Sequence, residues 1–154
     1  MLLFRDLRLA DAASLVACLK RQRLDYIGGY QPFLFEVECV ENLVSSARLD
    51  QYIGVFYQAT AASCIIIGLL TLRGLDEGYN DPMLGIFIAE EYGGRGYARQ
   101  ALDHAEKFSQ SRGHSGLLLK CSIHNARALK LYLKQGYQEL RQCDARTILM
   151  VKSF

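Results

Sequence analysis

Residues 84–102 have the sequence LGIFIAEEYGGRGYARQAL, in which an apolar strand pattern passes through three glycines into a helix pattern. Gly93, Gly94 and Gly96 carry no Cβ, so the backbone can adopt positive φ and approach a ligand closely. The start of the following helix presents unpaired N–H groups and the positive end of its dipole. The stretch therefore predicts an anion cradle that accommodates a pyrophosphate.

Three kinds of phosphate site use a glycine-rich turn between a strand and a helix. A dinucleotide-binding fold requires G-x-G-x-x-G after the first strand, and Arg99 stands where its third glycine belongs. A P-loop requires Gly-Lys-Ser/Thr, which this stretch lacks. A cradle for some other pyrophosphate is the third interpretation.

Length and composition limit the function classes. A chain of 154 residues with 51% hydrophobic content predicts one domain over residues 1–154. A net charge of +2 provides no field for polyanions, so we expect no nucleic-acid partner. The apolar start is interrupted at Arg5, and the longest apolar run, Cys64–Leu72, is too short to cross a bilayer. We therefore predict a cytoplasmic protein with no membrane partner.

Metal and disulfide chemistry are not indicated. The five cysteines are scattered without a C-x-x-C spacing, so we expect them to be reduced and buried. The three histidines, His104, His114 and His124, do not form a ligand spacing. No metal is predicted.

Hydrophobic periodicity predicts the element order βααβββαβαββ. Leu2–Arg8 is the first strand, Asp11 is the N-cap of a helix that fades near Arg23, and Pro32 opens a second helix. The later elements are strands Gln51–Gln58 and Cys64–Arg73, the strand of the glycine motif, helix Arg95–Arg112, strand Gly116–Ile123, helix Asn125–Gln135, and a hairpin of Tyr137–Arg141 and Thr147–Lys152. We expect an α/β (α+β) fold with a mixed, mostly antiparallel central sheet flanked by helices.

Two sequence blocks resemble signatures of the GNAT superfamily of acyl-CoA-dependent N-acetyltransferases. Residues 93–98 are similar to the family's Q/R-x-x-G-x-G/A signature, and residues 85–89 are similar to its fourth strand. Residues 125–137 are similar to its Asn-x-x-A-x-x-x-Tyr-x-x-x-Gly-Phe/Tyr block. The resemblance covers nearly the whole chain and implies a GNAT-like fold. One departure is Gly93, which stands where the family has Gln or Arg.

The resemblance implies acetyl-CoA as the co-substrate. The backbone of Ile86 to Ile88 would bind the pantetheine arm, and N–H groups of the glycine loop would bind the pyrophosphate. Arg95 and Arg99 would add positive charge beside it. The residues implied in cofactor binding are Ile86, Phe87, Ile88, Gly93, Gly94, Arg95, Gly96, Tyr97, Ala98, Asn125 and Tyr132.

Asn125 and Tyr132 are seven residues apart, close to two helical turns, so both side chains project from one helix face. The resemblance implies that Asn125 contacts the pantetheine or phosphate portion. It also implies that Tyr132 is the general acid, because a neutral phenol can protonate a departing thiolate. Taken singly, Asn125 also fits a helix N-cap, and Tyr132 also fits a core aromatic.

The sequence indicates the general base less clearly than the general acid. Lys120 stands where ribosomal-protein N-terminal acetyltransferases of this family have a glutamate, which counts against that substrate class. Asp81 is the candidate base, His124 is an alternative, and a water chain remains open. Cys121 fits a core position better than an acyl-enzyme nucleophile.

We expect the amine acceptor to bind between the aromatic segment Tyr26–Phe35 and the loop Gly74–Asp81, whose carboxylates would attract a cation. The predicted function is direct transfer of an acetyl group from acetyl-CoA, in a ternary complex, to a primary amine of a small molecule, amino sugar or peptide. The alternative is a non-catalytic CoA-binding or interaction module of the same fold. The sequence leaves open a homodimer formed through a sheet edge or the final hairpin.

Overall fold

The computed structural model describes residues 1–154. The strands are β1 (Leu2–Asp6), β2 (Gln51–Thr60), β3 (Ser63–Arg73), β4 (Met83–Ile88), β5 (Gly116–Ser122), β6 (Gln138–Gln142) and β7 (Thr147–Ser153). The helices are α1 (Ala12–Lys20), α2 (Leu24–Ile27), α3 (Val37–Ser46), α4 (Tyr97–Ser111) and α5 (Ala126–Lys134). None of these helices combines the length and the apolar character that a membrane span requires.

The seven strands form one sheet in the order β1-β2-β3-β4-β5-β7-β6. Every neighbouring pair is antiparallel except β4 and β5, which run parallel. The prediction of a mixed, mostly antiparallel sheet is therefore confirmed. The final hairpin inserts β7 beside β5, so β6 becomes the edge strand.

Helices bury both faces of the sheet. On one face, Leu15 and Leu19 of α1 pack with Leu69 of β3 in a cluster that also contains Val40 of α3. On the other face, Leu102 of α4 packs in a second cluster, which α5 joins through partly buried side chains. The helical spacing in the sequence predicted the buried stripe of α1, including Leu15 and Leu19.

One helix starts where it was predicted but without the expected capping bond, and another starts later than predicted. Asp11 already has helical dihedrals as the last residue of a 3₁₀ turn, so its carboxylate does not cap α1. It accepts bonds from the Arg8 N–H at 2.8 Å and from the Arg5 guanidinium at 2.7 Å instead. The helix predicted from Pro32 begins only at Val37, because the Pro32 carbonyl accepts a bond from Arg73 at 2.7 Å and holds its segment on the sheet. The short helix α2 was not predicted.

Candidate active site

The parallel strands β4 and β5 pair only at Met83–Leu118 and Leu84–Leu119. Beyond that point β4 continues to pair with β3 as far as Ile88, and β5 continues to pair with β7 as far as Ser122. The two strands therefore diverge toward their carboxyl ends. The edge of β4 that faces β5 has no strand partner after Leu84, and we call it the open edge.

Alternation of the backbone decides which residues face the open edge. The Ala89 N–H donates to the Ile67 carbonyl of β3 at 2.7 Å. Successive residues of a strand direct their N–H and C=O groups to opposite edges, so every second residue of β4 faces β3 and the others face the open edge. Ile86 and Ile88 face the open edge as predicted. Phe87 faces β3, where it is registered with Leu69, so its backbone does not contribute to the open edge.

The glycine loop follows this strand after the 3₁₀ turn Glu90–Tyr92. Gly94 and Gly96 have φ of 75° and 76°, a conformation that side chains disfavour. Gly93 has an ordinary φ of −65°, but a Cβ there would lie 3.0 Å from the Glu90 carbonyl oxygen. The Gly96 N-cap supplies no side-chain hydrogen bond, so the first N–H groups of the fifteen-residue helix α4 stay available for an anion.

An aromatic cluster holds the two ends of the loop. Tyr92 precedes the glycines and Tyr97 follows them, and their ring centroids lie 5.6 and 6.3 Å from that of Tyr57 on β2. Arg95 is turned away from the α4 N-terminus, because its guanidinium lies 5.3 Å from the Tyr92 ring centroid and donates to the Glu91 carbonyl at 3.4 Å. Arg95 therefore contacts the turn that precedes the glycine loop.

The end of α1 is bonded to the same turn. The buried Gln22 side chain accepts from the Glu90 N–H at 2.9 Å and donates to the Cys18 carbonyl at 2.9 Å. Arg21 pairs with Glu91, and Arg23 pairs with Glu90. The ion pairs are exposed and individually weak, but with Gln22 they connect the helical layer to the approach of the loop.

Arg127 is a site residue to which the sequence analysis assigned no role. It is exposed at the start of α5, and its guanidinium lies over the glycine loop. A Cβ on Gly94 would lie 3.5 Å from its Nη2 atom, and one on Gly93 would lie 3.8 Å from its Nη1 atom. None of the ion pairs of the chain includes Arg127. Its position two residues after Asn125 is the sequence feature that could have indicated a role. Only the fold shows that its guanidinium reaches the glycine loop.

Asn125 and Tyr132 lie at the two ends of α5, as predicted. The Asn125 Oδ1 atom accepts from the Ala128 N–H at 3.1 Å, so the residue is a helix N-cap whose amide N–H groups stay available. Burial raises the pKa of Tyr132 to about 12, with a smaller contribution from the Cys121 thiol of β5. The phenol is therefore protonated at neutral pH and can donate a proton.

The segment after α1 brings two more phenols to β4. The Tyr26 hydroxyl donates to the Ile88 carbonyl on the open edge at 2.5 Å. Tyr30 stacks on Phe87, with ring centroids 5.5 Å apart and planes inclined by 23°. The prediction that the Tyr26–Phe35 segment lies against the cleft is consistent with both contacts.

The candidate base and the other carboxylates lie elsewhere. Asp81 precedes β4, about 20 Å of strand away from Ile88, and accepts from the Ser115 N–H at 2.9 Å. Asp76 accepts from the Arg48 and Leu49 N–H groups at 3.0 and 2.7 Å. This geometry argues against Asp81 as the base and against the Gly74–Asp81 loop as part of the acceptor pocket.

The other residues considered as nucleophile or base lie in different surroundings. His124 is exposed beside Asn125, Lys120 is exposed on β5, and Cys121 is buried in the core. No group of three or more His, Cys, Asp or Glu side chains is arranged to hold a metal ion.

The sequence matches the acetyltransferase (GNAT) family over residues 19–137. A stretch of 52 residues is 44% identical to the uncharacterized N-acetyltransferase YycN of Bacillus subtilis (strain 168), and it spans 34% of this chain and 33% of that protein.

Two solved structures have similar folds. The chain is similar to spermidine N-acetyltransferase from Vibrio cholerae in complex with CoA and spermine, with a TM-score of 0.81, 18% identity, and coverage of 99% of this chain and 95% of that one. It is also similar to the PaiA N-acetyltransferase from Thermoplasma acidophilum in complex with coenzyme A, with a TM-score of 0.78, 19% identity, and coverage of 100% and 99%. At these identities the likeness concerns the fold.

The glycine loop gives the first prediction. Gly96→Ala should lower the free energy of unfolding by about 1–2 kcal/mol, because a side chain disfavours its φ of 76°. The would-be Cβ has no atom within 4 Å, so the loss reports conformation and not a clash. Urea unfolding measures it. Gly29→Ala is the control, since that position is equally open and lacks positive φ, and an equal loss in both variants would contradict the assignment.

Proposed function

The chain belongs to the GNAT family of acetyltransferases, and on that premise we propose that it transfers the acetyl group of acetyl-CoA directly to a primary amine in a ternary complex. The amine belongs to a small molecule, an amino sugar or a peptide. One observation carries the proposal: the open edge of β4 leads directly into a helix N-terminus whose N–H groups have no side-chain cap. A strand-like amide chain that ends in a diphosphate matches both features.

The pantetheine arm is proposed to lie along the open edge, beside Ile86 and Ile88. The Ile88 carbonyl accepts a hydrogen bond from the Tyr26 hydroxyl, so this position of the open edge takes a hydrogen-bond donor. A pantetheine amide N–H would be another such donor. The diphosphate is proposed to lie over the loop from Gly93 to Ala98, within reach of Asn125.

Arg127 is proposed to supply a cation over the glycine loop. Gly93 removes the motif side chain and Arg95 contacts Tyr92, whereas the Arg127 guanidinium lies over Gly93 and Gly94. A guanidinium forms two parallel bonds to phosphate oxygens, so one arginine from α5 can serve in place of a loop side chain.

Tyr132 is proposed as the general acid. Acetyl-CoA supplies the acetyl thioester, and the amine lone pair forms the new C–N bond. The C–S bond breaks with its electrons going to sulfur, Tyr132 gives the sulfur a proton, and the proton lost by the nitrogen restores the phenol. A pKa of about 12 keeps this proton on Tyr132 throughout the neutral range.

A non-catalytic CoA-binding module is the second candidate, because Gly93 departs from the motif and no carboxylate is near Tyr132. Sustained release of free thiol from acetyl-CoA in the presence of primary amines tests the choice. Turnover supports the enzyme. Binding of acetyl-CoA without turnover would support the module.

Tyr132→Phe should lower kcat about a hundredfold with little change in the KM for acetyl-CoA, because it removes only the proton donor. Since the phenol pKa is raised to about 12, kcat of the natural enzyme should show no loss from Tyr132 ionisation below about pH 11. Thiol release across pH measures both. Tyr137→Phe, in which the buried hydroxyl lies near Glu106, is the matched control. Full activity of Tyr132→Phe would exclude the role.

Arg127→Ala should weaken CoA binding about tenfold or more, the usual effect of losing a charge-assisted hydrogen bond. Binding of pantetheine, which lacks the diphosphate, should not change. Calorimetric titration compares the two ligands, and Arg141→Ala on the exposed strand β6 controls for loss of surface charge. Equal CoA affinity in Arg127→Ala and the natural protein would place the arginine outside the site.

A further inference from the structure

Tyr30 carries a buried hydroxyl that no group of the protein satisfies. Such a group has lost its hydration without a replacement bond, and native proteins rarely leave one in that state. The position is fixed: the Tyr30 N–H donates to the Ile27 carbonyl at 2.7 Å, and the ring stacks on Phe87. The hydroxyl is therefore held for a partner that the protein does not provide.

The surroundings of Tyr30 place it beside the proposed transfer point. Its Cε2 atom would lie 3.8 Å from a Cβ on Gly85, the residue just before the start of the open edge. Tyr132 is close enough that its charge would raise the pKa of Tyr30. Tyr30 packs with the cluster on the α1 face of the sheet and Tyr132 with the cluster on the α4 face, so the two phenols approach the divergence of β4 and β5 from opposite sides.

The side chains that act electrostatically on Tyr30 are neutral or positively charged. The ionisable groups that act on Tyr30 are Arg73 of β3, Tyr132 of α5 and Tyr52 of β2, and burial raises its pKa. Arg73 donates to the Pro32 carbonyl at 2.7 Å and belongs to none of the ion pairs. Asp50 and Asp76 act on Tyr52, and each of these carboxylates accepts a backbone N–H group. None of the groups that act on Tyr30 itself is a carboxylate, so a polycation would meet a cation beside this hydroxyl.

We propose that the Tyr30 hydroxyl positions the acceptor, and that the acceptor is a primary amine of low basicity, of the kind presented by an α-amino amide. The proposal rests on the acetyltransferase function above. The Tyr30 oxygen accepts one N–H hydrogen of the neutral amine, which leaves the nitrogen lone pair for the thioester carbonyl. Tyr30 keeps its own proton, so it is a positioning residue.

Low basicity follows from the lack of a carboxylate base. An α-amine with a pKa of about 8 is about one quarter neutral at pH 7.5, whereas an ε-amine with a pKa of about 10.4 is neutral in about one molecule per thousand. Arg73 would make either ammonium ion still less stable in the cleft. An amine that is already neutral in solution does not require a base in the site.

Two probes of equal composition test the acceptor class. Nε-acetyl-lysine amide offers only its α-amine, and Nα-acetyl-lysine amide offers only its ε-amine. At pH 7.5 kcat/KM should favour the α-amine by at least about tenfold, and the preference should narrow about twentyfold by pH 9.5 as the ε-amine loses its proton. Equal use of both probes, or preference for the ε-amine or for spermidine, would overturn the proposal. A failure of the acetyltransferase function itself would instead appear as no turnover of any of these amines, with or without binding of acetyl-CoA.

Tyr30→Phe tests the residue. The acceptor KM should rise about tenfold while the KM for acetyl-CoA stays the same, and Tm should rise, because the variant removes an unsatisfied buried hydroxyl. Tyr137→Phe removes another buried hydroxyl, which lies close to Glu106, and should leave the acceptor KM unchanged. An unchanged acceptor KM in Tyr30→Phe, or a lower Tm, would overturn the assignment.

Discussion

Pairing between β4 and β5 stops at Leu84 and Leu119, while each strand continues to pair with its other neighbour. This divergence leaves backbone groups without the partners that a sheet interior provides, although both faces of the sheet are covered by helices. Ile88 satisfies its carbonyl through Tyr26, and Tyr30 leaves its hydroxyl without a partner. The proposed site consists of the groups that the divergence exposes.

The divergence is maintained from both sides. The end of α1 is bonded to the turn before the glycine loop through Gln22, and the aromatic cluster around Tyr57 holds both ends of that loop. On the other side, the buried Glu106 of α4 pairs with Lys152 of β7 at 2.7 Å, and Gln135 after α5 donates to Asp103 of α4 at 2.6 Å. The first contact joins α4 to the sheet, and the second joins the end of α5, which carries Tyr132 and Arg127, to α4.

The sequence predicted features that depend on local chemistry. The glycine loop and the spacing of Asn125 and Tyr132 could be recognised in the sequence, because dihedral freedom and helical periodicity act over a few residues. Asp81, the predicted base, lies before the start of β4, whereas the glycine loop follows the other end of that strand. The helix expected from Pro32 failed because a tertiary bond from Arg73 outweighs a local preference for the first helical position. Arg127 and Tyr30 depend on contacts between distant elements, which periodicity does not encode.

Amide hydrogen exchange with and without CoA tests the central claim most directly, because it reports individual N–H groups. The account predicts slower exchange at Ile86 and Ile88 on the open edge and at the first N–H groups of α4, from Gly96 to Arg99. Exchange in the edge strand β6 should not change. Protection absent from both the open edge and the start of α4, under conditions in which CoA binding is saturated, would contradict the account.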